Sequence, residues 1–244
     1  MRNIKTQALL LHAKPQGDYH KLITAVSPDL GIFYATAYGA YKSKSKMVSS
    51  AEPFHHVRVY LYNNPVKERY KVTDIEIVDA YGEIRNDVEK IMAAGLVGEI
   101  LSKSHRDLNA ANVFGLSLAF FSLLNDSPIQ AVDFLLFQFI FRYLMFAGVF
   151  AIPENCDHCR KRLDNTDAVY WTGIEGEYMC GECNHSGDME LPVSVIKYLS
   201  KTLGMTIEKA CCITTDDKLR SSLKRFALAL TSESLGCKLG TPWM

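Results

Sequence analysis

The rhythm of hydrophobic and polar positions changes once along the 244-residue chain, near residue 80. Before that point, short apolar and β-branched runs recur at about Thr6–His12, Leu22–Ser27, Ile32–Tyr38, His55–Tyr62 and Lys71–Ala80. Turn-forming stretches separate them: Pro15-Gln16-Gly17-Asp18, Pro28-Asp29-Leu30-Gly31, Tyr41 to Pro53, and Asn63-Asn64-Pro65. Alternation is clearest at Val57, Val59 and Leu61, with Arg58, Tyr60 and Tyr62 on the opposite face. Five short strands in succession predict a small closed barrel, because closure removes exposed strand edges.

After Gly82 the period becomes helical. Asn86 or Asp87 is placed to cap a helix running to about Ser104, with Ile91, Leu96, Val97, Ile100 and Leu101 on its apolar side. A second helix is expected over Ala110–Leu124. Ser127-Pro128 reads as a cap followed by a first-turn proline that opens a third helix, which Pro153 is expected to end. This third helix is apolar nearly all round and carries the longest apolar run, Phe134 to Ile152, interrupted by Gln138 and Arg142. An arginine at a bilayer centre costs about 2.5–3.5 kcal/mol, so a buried core helix is the reading preferred over a membrane span. Helices resume at Pro192–Leu203 and at about Asp217–Leu235.

Composition adds exclusions. With 48% apolar and 22% charged residues the chain is of ordinary globular type, which excludes collagen-like, coiled-coil and wholly disordered classes. Formal net charge is zero, but it is unevenly spread. Residues 1–71 carry 11 Lys/Arg against 4 Asp/Glu, 72–155 carry 5 against 11, 156–190 carry 3 against 8, and 191–244 carry 8 against 4. A basic head followed by an acidic middle points to an anionic partner at one end. The early apolar run Ala8 to Leu11 is too short for the core of a secretory signal, so the seven cysteines are expected in a reducing cytoplasm.

Four of those cysteines form the most specific motif. Cys156-Asp157-His158-Cys159 and Cys180-Gly181-Glu182-Cys183 are two Cys-x-x-Cys pairs 20 residues apart, the spacing of a zinc ribbon. Two residues between thiolates let a tight turn aim both sulfurs at one ion, and two such turns complete a tetrahedron. Gly181 is expected to relieve crowding in the second turn. Tyr170-Trp171-Thr172 and Glu177-Tyr178-Met179, around Gly173 and Gly176, read as a hairpin that brings the pairs together. A full four-cysteine shell would be structural, since catalytic zinc keeps an open position. Two disulfides or redox pairs are the alternative. Cys211, Cys212 and Cys237 show no pairing pattern.

Phosphate-loop, dinucleotide-binding, nucleophile-elbow and H-E-x-x-H motifs are absent, and no histidine sits in the H-x-E of a zinc deaminase. The adjacent His55 and His56 lie on a strand and should face opposite ways. A binding module is favoured over an enzyme, with no small-molecule substrate and no membrane association expected. The candidate surface is Lys42-Ser43-Lys44-Ser45-Lys46, preceded by Tyr34, Tyr38 and Tyr41 and followed by Arg58, Tyr60 and Tyr62. Cations that track phosphates and rings that stack on bases suit single-stranded nucleic acid. Lys42, Lys44 and Lys46, with Lys21 and Arg58, are the expected phosphate contacts; a solvated loop beside packed tyrosines is the alternative.

Gly17-Asp18-Tyr19-His20-Lys21-Leu22-Ile23-Thr24, Ser27-Pro28-Asp29-Leu30-Gly31, Gly39-Ala40-Tyr41-Lys42-Ser43-Lys44-Ser45 and Glu52-Pro53-Phe54 resemble the opening of the bacterial RecO family of DNA repair proteins. Phe141-Arg142-Tyr143-Leu144-Met145-Phe146-Ala147-Gly148, the two Cys pairs and Ser234-Leu235-Gly236-Cys237-Lys238-Leu239-Gly240 continue the resemblance in order. It implies an α+β chain with an N-terminal five-stranded OB-fold barrel over 1–80, an α-helical domain in two parts, 81–155 and 191–244, and an inserted four-cysteine zinc ribbon over 156–190. The zinc ligands would be Cys156, Cys159, Cys180 and Cys183. It also implies a non-catalytic cytoplasmic, nucleoid-associated recombination mediator that binds single- and double-stranded DNA and anneals complementary strands. Such a mediator works with RecR to load RecA, and docks the tail of the single-strand-binding protein SSB in the helical domain. Arg142 is the candidate clamp for the carboxylate of that tail; an internal partner such as Asp133 or Glu99 is the alternative. The chain departs from the family in having Tyr41 where a second basic residue often stands, and in its zero net charge. An RNA-binding OB-fold factor and a pure assembly scaffold are the other readings.

Overall fold

The computed structural model describes residues 2–42, 47–64, 69–104, 109–173, 176–184 and 189–243. Its strands in chain order are β1 (Arg2–Gln16), β2 (His20–Ser27) and β3 (Gly31–Ala37), followed by a one-turn helix, α1 (Met47–Ser50), then β4 (His56–Asn64) and β5 (Arg69–Asp79). They close into a barrel in the order β1-β2-β3-β5-β4. Every pair is antiparallel except β3 with β5, which run parallel over only Ala35–Ala37 against Tyr70–Val72. Five strands in this order form the expected OB-fold. The alternation read at β4 is the barrel wall: Val57, Val59 and Leu61 are buried in the core with Ala8, Leu10, Ile23, Ala25, Phe33, Ala35 and Ala37.

In β1 four consecutive residues, Ala8 to Leu11, are fully buried. Ala8 and Leu10 fill the barrel, whereas Leu9 and Leu11 lie outside that cluster. Helices cover β1 from outside: α2 (Val88–Lys103) and α3 (Ala110–Asp126) both pack on it. Asp87 caps α2 by accepting from the N–H groups of Glu89 and Lys90, as its position suggested. Gly98 sits where α2 approaches most closely; a Cβ there would lie 3.3 Å from the His12 ring and 3.5 Å from the Leu11 carbonyl. By mutual contact, residues 1–129 with 240–244 form one compact unit, and 130–239 form a second. The change of period near residue 80 therefore marks a change of secondary structure, and α2 and α3 belong with the barrel.

Ser127-Pro128, at the end of the first unit, leads into a single 3-10 turn, Ile129–Ala131, and the first α-helix of the second unit is α4 (Val132–Phe146). It ends earlier than Pro153. Gly148 takes a left-handed φ of 65°, and the N–H groups of Gly148 and Val149 turn back to the carbonyls of Met145 and Leu144. The window Ile129–Phe146 is long and apolar enough to cross a membrane, yet 61% of it is buried within the fold. The remaining elements are β6 (Val169–Thr172), β7 (Glu177–Cys180), β8 (Met189–Leu191), α5 (Val193–Leu203), a short α6 (Ile207–Ala210) that the periodicity did not indicate, and α7 (Asp217–Leu235). Phe226 of α7 is their common core. Its ring lies 5.6 Å from Phe141 of α4, 5.7 Å from Trp171 of β6 and 6.4 Å from Tyr178 of β7. That aromatic cluster fastens the cysteine hairpin to the helices.

One partly buried acid draws residues 240 and 241 back to α2. Glu99 accepts from the N–H groups of Gly240 and Thr241, both at 2.7 Å, and pairs with Lys103 at 2.6 Å. Burial pushes its carboxyl up, but these donors outweigh it and hold the group down at about 2. A depressed carboxyl contributes stability that is complete above its ordinary pKa, near 4.5, and is lost as pH falls toward 2. Replacing Glu99 by Ala should therefore cost the first unit about 1–3 kcal/mol at pH 7, the scale for a charged, hydrogen-bonded group. The difference from the parent should shrink toward zero near pH 2, as urea unfolding at the two pH values would show.

Candidate nucleic-acid interface and metal centre

The outer face of β2 and β3 is where register brings functional side chains together. Lys14 of β1 stands opposite Leu22 of β2, Leu22 opposite Thr36 of β3, and Thr36 opposite Lys71 of β5. A row across four strands thus has an exposed lysine at each end. Beside it opens a cleft of about 610 Å³ lined by Gln16, Leu22, Ile32, Tyr34, Thr36 and Tyr70, among others. Tyr34 is 53% exposed, as is Tyr19, and Tyr38 and Tyr41 are nearly as open. Cations lie against these and neighbouring rings: Lys42 Nζ is 5.6 Å from the Tyr19 ring centre, Lys71 Nζ 5.3 Å from Tyr38, and Lys5 Nζ 5.2 Å from Tyr60.

Of the five cations expected to meet phosphates, the structure places three. Lys42 is exposed near the start of the β3–β4 connection, next to Tyr19. Arg58 lies on β4 with its guanidinium 3.1 Å from Glu76, which also accepts from Tyr60. The Arg58 and Tyr60 donors hold the Glu76 carboxyl below its usual range, so the charge of Arg58 is locally answered. Lys21 is only 2% exposed, and its ammonium bonds Glu52 and the Val48 carbonyl inside the barrel mouth. Lys44 and Lys46 lie outside the described residues. Lys5, Lys14 and Lys71 were not singled out from sequence; strand parity marks Lys5 and Lys71 as outward, but Lys14 shares the parity of the inward Ala8 and Leu10 and faces out only because the register of β1 shifts between Leu10 and His12. Only one of the two histidines is a strand residue: His56 opens β4, and His55 precedes it. Burial lowers both pKa values, and His55 faces the Ser50 carbonyl while His56 meets Gln7.

The four cysteines converge. Every sulfur of Cys156, Cys159, Cys180 and Cys183 lies within 4.8 Å of the others, close enough to hold one metal ion. Each pair sits on a turn that folds back on its first cysteine: Arg160 N–H donates to the Cys156 carbonyl, and Cys183 N–H to that of Cys180. β6 and β7 form the expected hairpin, and Asp157 bonds the backbone of Tyr178 in both directions, locking the first turn to β7. The left-handed position falls on Arg160, φ 63°, rather than on Gly181, where a Cβ would meet Tyr170 at an ordinary 3.8 Å. Burial works against a charge on Cys156, but the N–H groups of Cys159, Cys180 and His158 hold its thiol down at about 6. The hydrogen bond to Cys159 pushes Cys183 up to about 12. Such a cage is compatible with a structural zinc.

Arg142 pairs with neither expected acid. Asp133 meets Arg220 at 3.8 Å, and Glu99 serves Gly240 and Thr241. The Arg142 Nη2 group donates instead to Gln138 at 3.2 Å, to the Thr202 carbonyl at 3.1 Å and to the Met205 carbonyl at 2.7 Å. It thus caps the C-terminal end of α5, where a cation complements unpaired carbonyls. Backbone acceptors 60 and 63 residues away leave no mark in the sequence. Its Nε is buried with no hydrogen-bond partner among the described residues.

Comparison with known proteins bears on both parts. The family model for the N-terminal region of recombination protein O matches residues 1–81, and that for its C-terminal region matches residues 85–241. The DNA repair protein RecO of Clostridium novyi is 25% identical over 241 residues, covering 96% of this chain and 90% of the relative. The corresponding protein of Acetivibrio thermocellus is 23% identical over 206 residues, covering 82% and 79%. That of Oceanobacillus iheyensis is 26% identical over 180 residues, covering 73% and 67%.

The capping geometry predicts that Arg142→Ala destabilises the second unit by about 1–3 kcal/mol, and that Arg142→Lys recovers only part of it, since the shorter lysine cannot carry its ammonium to the Nη2 position. Urea unfolding followed through the buried Trp171 measures both.

Proposed function

Because the chain belongs to the recombination protein O family and so has a role in DNA repair, we propose that it acts there as a non-catalytic mediator. In this reading it binds single- and double-stranded DNA, anneals complementary strands and, with RecR, helps to load RecA onto SSB-coated single strands in the cytoplasm, at the nucleoid. The observation that carries the reading is the outer barrel face, where exposed lysines flank a cleft edged by an open tyrosine. Bases stacked on such rings gain about 1–3 kcal/mol each, and lysines neutralise phosphates whatever the sequence. Annealing makes and breaks no covalent bond. It needs backbone repulsion lowered while bases stay free to sample partners, and shallow stacking beside exposed cations provides that.

The zero net charge is compatible with this, because the acids are concentrated away from the first 71 residues. For the SSB tail, the supporting feature is on α4. Arg142 has a buried, unpartnered Nε, and Met145 and Phe146, 40% and 46% exposed, follow at the three- and four-residue spacings that share a helix face. A guanidinium beside open apolar side chains suits an acidic segment ending in an aromatic residue and a carboxylate. In this reading the cysteine cage would hold zinc, through Cys156, Cys159, Cys180 and Cys183. When bound it ties together a hairpin too small to carry a core of its own.

The reading is tested by annealing of SSB-coated complementary strands. Tyr34→Ala with Lys14→Ala and Lys71→Ala should slow annealing about tenfold or more and reduce the salt dependence of single-strand binding by about 0.7 per lysine. Glu in place of Lys42, Lys44 and Lys46 should act in the same direction. Unchanged annealing in both variants would set this face aside. Purified protein should carry one zinc per chain. A strong chelator, or lowering the pH far enough to protonate the thiolates, should release it and abolish the near-ultraviolet dichroism of Trp171.

A further inference from the structure

Among the described residues, Lys21 is the one cation of the expected phosphate set that the barrel encloses. On β2 it shares the inward parity of Ile23 and Ala25, and its strand partner is the fully buried Ala37. Its stem therefore runs inside the barrel, and the ammonium emerges at the mouth. There it bonds Glu52 at 2.5 Å and the Val48 carbonyl at 3.1 Å, and lies 5.0 Å from the centre of the Tyr41 ring. Tyr41, Val48 and Glu52 all belong to the connection between β3 and β4, the segment that carries Lys42, Lys44 and Lys46 in sequence. Tyr41 stands before these lysines, and Val48 and Glu52 after them.

The neighbouring residue secures the start of the same connection from the other side. His20 Nδ1 accepts from Gly39 N–H at 3.0 Å, and its ring meets Tyr38 edge-on at 4.8 Å. Gly39 turns there with a φ of 71°. Adjacent strand residues point to opposite faces, so His20 and Lys21 grip the connection from outside and inside the wall. A buried ammonium with three partners is expensive to expose or leave unpaired, which makes the grip firm.

From this geometry we propose that Lys21 is a positioning residue. Through Tyr41, Val48 and Glu52 it holds both flanks of the lysine-bearing connection in place for nucleic acid, and it makes no phosphate contact itself. The inference rests on the DNA-binding reading and deepens it. Fixing the flanking residues before binding removes part of the entropy lost on binding. Losing the grip should weaken binding by roughly threefold to tenfold, the range for a few ordered side chains.

The test is a double-mutant cycle on single-strand affinity, read by fluorescence anisotropy with a 30-nucleotide oligothymidylate across a salt series. Lys21→Met, the triple variant Lys42→Ala/Lys44→Ala/Lys46→Ala, and their combination are compared with the parent. We expect Lys21→Met to weaken binding alone and to have no further effect, within twofold, in the triple background. Full retention of its effect there, with a further fall of about 0.7 in the salt slope, would identify a direct phosphate contact and overturn the proposal. So would a folded Lys21→Met protein with parental affinity. Should that variant fail to fold, Glu52→Gln decides by sign. A tether loosened by losing its charge lowers affinity, whereas a phosphate-binding Lys21 freed of its acid raises it. If the parent itself leaves the oligonucleotide unbound at 50 mM salt, the DNA reading falls and this inference with it; if the parent binds and the cycle is additive, the inference falls alone.

Discussion

Three residue pairs close the barrel. Ala35, Thr36 and Ala37 meet Tyr70, Lys71 and Val72 in the parallel seam between β3 and β5, and without it the sheet would be an open five-stranded ribbon. Two of the three β3 residues are alanines, almost fully buried, so the strands approach without large side chains between them. The third, Thr36, faces outward and bonds Gln16 across the cleft. The seam also brings Lys71 to the same surface as Lys14, although the two lie far apart in sequence. The Lys14–Lys71 row depends on that short pairing, because a slip of one residue would turn Lys71 inward and Val72 outward.

Features that depend on local physics were legible in the chain itself. Strand alternation at β4, the Asp87 cap, the cysteine pairs and their hairpin are each encoded within a few residues. Gly148 was legible too, as a left-handed stop, but Pro153 is the louder signal and drew the expected helix end too far. The inward parity of Lys21 was present in the spacing to Ile23 and Ala25, yet a lysine beside other cations reads most simply as a surface charge. What could not be read depends on distant pairings. The cleft requires the β3–β5 register, and the partners of Arg142 are main-chain carbonyls, which have no side-chain signature.

The two units secure their structure by different means. The first relies on a barrel core made mostly of aliphatic side chains around Phe33, with exposed tyrosines and lysines on the outer face. The second centres on Phe226, which joins α4, α7 and the cysteine hairpin through ring contacts, while the four sulfurs hold the two turns at the hairpin's base. A metal in that cage would act on stability and placement of the hairpin, and no open coordination position would remain for chemistry.

The bond from Glu99 to residues 240 and 241 has a bearing on how the molecule is made. On the ribosome, the barrel, α2 and α3 emerge before residue 130, but the strand of chain that satisfies Glu99 follows all 110 residues of the second unit. During that interval the nascent first unit carries a carboxylate still waiting for its main-chain donors. It gains these two bonds only once residues 240 and 241 are free to reach Glu99, after the other unit has been made.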